Sequence, residues 1–126
     1  MKLEEYSPLS LAFLGDAVFE LYVRSMVVSG KTDNVDVMHK KSKAYVNASS
    51  QRQMYFRIYS LLEPDEQAVL KRGRNSKTHS RAKSASASDY QHATGLETLF
   101  GYLFLKGDKP RLDEIFRICT ADRLED

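Results

Sequence analysis

The sequence is poor in the residues that build disulfides and metal clusters, since its 126 residues include one cysteine, Cys119, and three histidines. A lone cysteine cannot form an internal disulfide and is typical of a reducing compartment. The histidines lack the spacing of a zinc site. No apolar run reaches the length of a membrane span, and the first residues, MKLEEYSPLS, have no signal-peptide character. These absences predict a soluble, cytoplasmic protein.

The alternating pattern of β-strands is also missing, as are phosphate-binding loops, dinucleotide fingerprints and nucleophile elbows. Apolar residues recur instead with helical spacing, and the length suits one domain, residues 1–126, around one core. The sequence therefore predicts an all-α helical bundle, with Leu61 among the inward residues of its third helix. The expected helices span about residues 8–28, 34–48, 49–62, 64–73, 88–106 and 109–119.

Acidic residues are absent from one segment, residues 67–88, although the net charge of the chain is only +2. This asymmetry indicates a polyanionic partner, because lysine and arginine neutralise phosphates along a nucleic-acid backbone. Residues 73–88 are small, polar and without apolar periodicity, so we expect a basic mobile loop there. A plain solvated surface loop is the alternative. The candidate RNA-binding residues are Lys71, Arg72, Arg74, Lys77, Arg81 and Lys83.

Asp16 stands out as the one carboxylate in the middle of the apolar helix LAFLGDAVFELYVR. Burying a carboxylate costs several kcal/mol unless it finds a partner or a metal ion. The flanking Phe13, Val18 and Leu21 predict that this face of the helix is not fully wet. Gly15 lowers helix propensity, which indicates close approach of another backbone or a ligand. The alternative is an ordinary, partly exposed helix carboxylate.

Glu97 is the matching acid of a later apolar helix, GLETLFGYLFL, in which Gly101 lies one turn further along. We expect the two helices to pack face to face so that Asp16 and Glu97 meet. Two carboxylates from facing helices can form a binding site for Mg²⁺, and such an ion can support phosphodiester hydrolysis. Glu20 is either a third ligand or, as we prefer, the ion-pair partner of Arg24.

The two acidic helices resemble the signatures of a known family. LAFLGDAVFELYVR resembles the first signature helix of the ribonuclease III family, and TGLETLFGYLFL resembles the second, with Glu97 on the family's glutamate. The segment HKKSKAYVNASSQ is similar to the helix between them, with Asn47 at a recurrent asparagine. The run AVLKRGRN, residues 68–75, is typical of the Mini-ribonuclease III subgroup, a compact bacterial form without a separate double-stranded-RNA-binding domain.

The resemblance implies the endonuclease-domain fold and a homodimer in which each subunit supplies one Asp16/Glu97 site. It implies Mg²⁺-dependent cleavage of double-stranded RNA, with Mn²⁺ as a substitute ion, to give 5′-phosphate ends and short 3′ overhangs. The implied substrate is the 23S ribosomal RNA precursor, and a ribosomal protein is a candidate presenter of that RNA. Duplex RNA is recognised by shape, phosphates and 2′-hydroxyls, which suits the basic segment.

The chain departs from the family's signatures at other acids. Ala12 stands at the position of a glutamate and Thr94 at the position of an aspartate. We therefore carry over only Asp16 and Glu97 as catalytic and metal-binding residues. The missing acids leave two alternatives open: a catalytically silent RNA-binding or ribosome-assembly protein on the same fold, or a helical interaction domain in which both acids are buried and hydrogen-bonded.

Overall fold

The computed structural model describes residues 2–31, 33–76 and 86–124, and the secondary structure in these ranges is helical. A short 3₁₀ helix, Leu3–Glu5, precedes the α-helices. None of the helices in these ranges is long and apolar enough to cross a membrane. The all-α prediction is confirmed. The described helices are α1 (Pro8–Val27), α2 (Val35–Lys43), α3 (Ala48–Tyr59), α4 (Pro64–Arg74), α5 (Ala87–Lys106) and α6 (Lys109–Leu124).

The helix ends follow local sequence signals. Ser7 caps α1 by accepting a hydrogen bond from the Ser10 N–H at 3.1 Å, and Pro8 occupies the first helical position. Asn34 and Asn47 cap α2 and α3 in the same way. Gly107 ends α5 in the left-handed conformation, with φ of 79°.

The cap predicted for the helix after the basic segment is wrong, whereas the end of the helix before that segment was predicted to within one residue. Helix α4 continues to Arg74, and α5 begins at Ala87 because Ser86, rather than Ser88, caps it by accepting from the Asp89 N–H at 3.0 Å. Both ends of the expected loop at residues 73–88 are therefore helical. Residues 77–85 of that expected loop lie outside the described residues.

The inward face predicted for the third helix is also wrong at one position. Leu61 is 55 % exposed, whereas Leu62 is buried. The reason is that α3 ends at Tyr59, so Leu61 lies beyond the point where helical periodicity assigns a face.

Helix α5 is the central element, and α1, α3 and α4 pack around it. Its residues Leu96, Leu99, Phe100 and Leu103 are completely buried. Phe19 of α1 lies edge-on against Phe100, with ring centroids 5.3 Å apart, an arrangement that adds to the stabilisation from burial alone. The core therefore lies along the helix that carries Glu97.

Two glycines let α1 and α5 cross at backbone contact. A Cβ atom on Gly15 would overlap the carbonyl oxygen of Glu97, and one on Gly101 would overlap the carbonyl oxygen of Leu11. Any larger residue at either position would push the helices apart. The crossing therefore holds the stretch of α1 that follows Gly15 at a fixed position against the turns of α5 around Gly101.

A buried ion pair fastens α6 to α4. Glu66 is 4 % exposed and accepts two hydrogen bonds from the Arg111 guanidinium, from Nη2 at 2.7 Å and from Nε at 2.8 Å. Glu66 also accepts the Glu63 N–H at 2.8 Å, which completes a capping box at the start of α4. A planar two-point contact of this kind holds the helices in one register.

Candidate active site

The helix crossing sets Asp16 and Glu97 side by side. Asp16 directly follows Gly15, which touches the Glu97 backbone, and the two carboxyl groups lie within hydrogen-bonding reach of each other. The structure thus brings together the two acids that the sequence singled out. Their catalytic and metal-binding roles remain predictions.

The two acids differ in exposure. Asp16 is exposed and Glu97 is partly buried. The expectation that apolar flanks shield the Asp16 face from water is wrong, because Phe13 is 85 % exposed and Leu21 is 65 % exposed. The apolar character of α1 reflects an exposed apolar stripe as well as the core. The pair therefore lies at the surface, with Glu97 at its inner side.

The environment of Glu97 opposes its ionisation. Its pKa is raised to about 8, first by burial, then by the negative charge of Asp16 and the hydrogen bond with it, while the Gln51 side chain acts in the opposite direction. A neighbouring carboxylate and a buried setting both disfavour the charged form of Glu97. Without a bound cation, Glu97 therefore favours its protonated form at neutral pH.

The pair fits a divalent cation by the chemistry of its donors. Oxygen ligands are what Mg²⁺ prefers, and it binds through one or two carboxylates while keeping several waters. A cation would also favour the ionised form of Glu97, which burial and the neighbouring Asp16 otherwise disfavour. Within the described ranges, no group of three or more His, Cys, Asp or Glu could hold a metal ion.

Glu20 does not complete the pair. Its Oε1 lies 3.3 Å from Nη2 of Arg24, one turn further along α1, and both side chains are largely exposed. This is the ion pair that the sequence favoured over a third ligand. Such an exposed pair contributes little to stability, so Glu20 serves as a local contact on the helix surface.

Gln51 is a polar neighbour of the pair that the sequence did not single out. It lies on α3, is 4 % exposed, and its side chain contacts Glu97. The available signal was a glutamine on the same face of α3 as the buried Tyr55 and Ile58, which lie one and two turns further along.

The basic residues at the end of α4 lie on an element that packs close to Glu97. Gly73 rests against Gly95 and Thr98 of α5, the turn that contains Glu97. Lys71 and Arg72 are exposed, and Arg74 is partly buried. The other three candidate RNA-binding residues, Lys77, Arg81 and Lys83, lie outside the described residues.

Comparison with known proteins decides the family. The ribonuclease III domain matches residues 9–108, a span that contains both acids. The chain belongs to the ribonuclease III family. It is 43 % identical over 114 residues to the Mini-ribonuclease 3 of Thermoanaerobacter sp. strain X514, covering 90 % of this chain and 80 % of that protein. It is 42 % identical over 117 residues to the Mini-ribonuclease 3 of Clostridium tetani, covering 92 % and 78 % respectively.

A solved structure supports the same assignment. A crystal structure of a Fusobacterium nucleatum protein superposes with a TM-score of 0.84 at 34 % sequence identity, covering 94 % of this chain and 95 % of that one. The resemblance drawn from the two signature helices is therefore confirmed. Ribonuclease III enzymes are endoribonucleases of double-stranded RNA, generally use a divalent metal ion and typically form dimers. The chain is an endoribonuclease of this family.

Proposed function

We propose that the chain is a Mg²⁺-dependent endoribonuclease in which Asp16 and Glu97 form the catalytic centre. The observation that carries this proposal is the contact between the two carboxyl groups, one exposed and one partly buried with its pKa raised to about 8. Two acids held together at an unfavourable distance are a common signature of a functional site. Asp16 presents its carboxylate to the RNA side, and Glu97 closes the inner side of the centre.

The bound ion would supply the hydrolytic chemistry, by lowering the pKa of a bound water and by stabilising charge that develops on the phosphate. The chain's own part is to hold both acids in place. Gly15 and Gly101 lock the helix crossing, and the buried face of α5 prevents Glu97 from moving away. Mn²⁺ would substitute for Mg²⁺, since both ions accept carboxylate and water ligands.

The basic end of α4 supports a role in gripping the RNA backbone. Lys71 and Arg72 are exposed on a helix whose Gly73 packs against the turn of α5 that carries Glu97. Positive charge at this place can contact phosphates that flank the scissile bond. Contacts to phosphate give affinity that is largely independent of sequence and falls with salt. Lys77, Arg81 and Lys83 would extend this contact.

Replacing Arg72 and Arg74 together with alanine is expected to weaken binding of duplex RNA and flatten its salt dependence. Two lost phosphate contacts would reduce the slope of log K against log salt by about two. Fluorescence anisotropy over a salt series measures this slope. The matched control is the double replacement of Lys106 and Arg117, which removes the same charge at the far end of α5 and on α6. Equal slopes for the two double variants would remove Arg72 and Arg74 from the RNA interface.

A homodimer is the proposed assembly, and the exposed apolar stripe of α1 is its proposed interface. Phe13 and Leu21 lie about two turns apart on α1, and Phe104 of α5 is 51 % exposed. A cavity of about 440 Å³ lined by Val18, Leu21, Leu103 and Phe104, among others, opens between these helices. Large apolar residues grouped in this way mark an interaction surface.

The expected partner is a second copy, because members of this family typically dimerise. Asp16 lies on the same exposed side of α1 as Phe13, so pairing would bring the two centres to one composite surface able to address both RNA strands. Sedimentation velocity of the RNA-free protein tests the assembly. A single species of monomer mass at micromolar concentration would contradict it.

The proposed substrate is duplex RNA at the paired ends of the 23S ribosomal RNA precursor, with products that carry 5′-phosphates. The names of the relatives identify them as ribonucleases. In this proposal a ribosomal protein would present the RNA to the enzyme. The testing experiment incubates the protein with duplex RNA, matched single-stranded RNA and duplex DNA, with Mg²⁺ or with EDTA. Cleavage of duplex RNA alone, only with Mg²⁺, is expected. Salt-sensitive binding without cleavage would indicate a silent RNA-binding protein instead.

A further inference from the structure

Gln51 is a buried polar residue whose side chain is incompletely paired. Only 4 % of the residue is exposed, and its Nε2 is buried without a well-formed hydrogen bond to any part of the chain that the structure describes. A buried donor left in this state destabilises the folded protein, because it has given up its hydrogen bonds to water. An unsatisfied group inside a folded protein is often explained by a role in function.

The Gln51 amide faces the catalytic pair. Helix α3 packs against α5, and the Gln51 side chain lies close to the carboxyl group of Glu97. An N–H group is the correct partner for an ionised carboxylate, because it donates where the carboxylate accepts. Contacts of this kind are often loose in an enzyme without its substrate and tighten in the productive complex.

The backbone around Gln51 is fixed by the cap of α3. Asn47 Oδ1 accepts the Ser50 N–H at 2.8 Å, and Asn47 Nδ2 donates to the Lys43 carbonyl at 2.8 Å. The Gln51 N–H in turn donates to the Asn47 carbonyl at 3.0 Å. Asn47 thus ties the end of α2 to the first turn of α3, and Gln51 projects from a rigid turn.

We propose that Gln51 is a positioning residue of the centre, whose side-chain amide donates to the Glu97 carboxylate and holds it toward Asp16 so that the two acids bind one divalent cation. This inference rests on the proposed function of the pair. It gives the buried Nε2 of Gln51 a hydrogen-bond acceptor, the Glu97 carboxylate. That hydrogen bond would form fully when the centre binds a cation. Groups that orient a metal-binding carboxylate in this way commonly contribute 10- to 100-fold to metal affinity.

The test measures Mn²⁺ binding to RNA-free protein by the loss of the free-ion electron paramagnetic resonance signal. Gln51→Met keeps the length of the side chain and removes the donor, and it is expected to weaken Mn²⁺ binding about tenfold. Gln51→Asn keeps a polar amide but is too short to reach Glu97, and the same direction is expected. Thr120→Val is the matched control, because it removes a fully buried hydroxyl on α6 that donates to the Phe116 carbonyl at 2.9 Å.

Asp16→Asn separates the two possible failures. If Asp16→Asn binds Mn²⁺ as tightly as the wild type, the proposed metal centre itself is wrong, and the role of Gln51 falls with it. If Asp16→Asn loses binding while both Gln51 variants retain wild-type affinity, the centre stands and Gln51 is only a structural residue. Weakened binding in a folded Gln51 variant, with Thr120→Val unchanged, supports the positioning role. The concentration of Mg²⁺ that half-saturates cleavage should rise in parallel.

Discussion

Asp16→Asn is expected to lower the cleavage of duplex RNA about 10³-fold, which corresponds to about 4 kcal/mol of transition-state stabilisation, while the protein still folds. The substitution keeps the shape of the side chain and removes one of the two charges offered to the cation. Single-turnover cleavage at saturating Mg²⁺ measures the effect, and circular dichroism checks the fold. Binding of duplex RNA at fixed salt should be retained, because the basic end of α4 is unchanged.

Glu20→Gln is the matched control for this prediction, since it neutralises a carboxylate one turn further along the same helix. Glu20 pairs with Arg24 at 3.3 Å, so its loss should leave the cleavage rate within about twofold of the wild type. Equal rates for Asp16→Asn and the wild type would remove Asp16 from the catalytic centre. A large loss for Glu20→Gln would restore Glu20 as a third ligand.

The stability of the metal-free protein provides an independent signature of the same pair. The pKa of Glu97 in the folded chain is about 8, above its ordinary value of 4.5, so between these values the folded state holds more protons than the unfolded state. The free energy of unfolding therefore falls as pH rises from about 4.5 to 8. Glu97→Gln has no ionisable group at this position, so its free energy of unfolding does not show this fall. Glu97→Gln should accordingly melt at a higher temperature than the wild type at pH 9 in EDTA, with a smaller difference at pH 6.

Gly15→Ala is expected to have the largest effect on stability, a loss of about 3 kcal/mol or more and a fall in Tm of about 10 °C. The added Cβ would overlap the Glu97 carbonyl oxygen and lie 2.7 Å from the Gly101 nitrogen. Neither group can move aside, because both belong to the backbone of the central helix. The helices must separate, and this displaces Asp16 from Glu97 as well as opening the core.

Gly30→Ala distinguishes this clash from the general effect of adding a methyl group. Gly30 has φ of +81° but no atom within 4 Å of its added Cβ, so only the left-handed conformation is penalised, by about 1–2 kcal/mol. Thermal unfolding followed by circular dichroism compares the two variants. If Gly15→Ala unfolds no earlier than Gly30→Ala, the helices do not cross at backbone contact. Cleavage by the surviving Gly15→Ala protein should be reduced more than cleavage by Gly30→Ala.

The identity of the fold and of the acid pair was accessible from the sequence because short-range rules apply to both. Ser7, Pro8 and Gly107 mark helix ends through local hydrogen bonds and allowed backbone angles, and these ends lie where the sequence placed them. Asp16 and Glu97 were conspicuous because each is an acid within an apolar helix. Each also has a glycine close by, either directly before it or one helical turn further along. Such features depend on neighbours within about one helical turn.

The positions that were assigned wrongly share a different cause. Each depends on where a helix ends or on whether another part of the protein covers that face of the helix. Leu61 is exposed because α3 stops at Tyr59, and a cap at Ser86 rather than Ser88 moves the start of α5. Phe13 and Leu21 were expected to keep their face of α1 from being fully wet, yet both side chains are exposed. Apolar character in a sequence does not distinguish a core face from an apolar surface stripe.

The sequence by itself determined the all-α class, the family and the two acids, because helix periodicity and signature spacing are properties of the linear chain. Only the tertiary structure showed that Gly15 and Gly101 bring the two backbones into contact, and that burial beside Asp16 raises the pKa of Glu97 to about 8. It also placed Gln51 against Glu97 although 46 residues separate them in the sequence. Contact between distant residues arises from packing, and no local pattern encodes it.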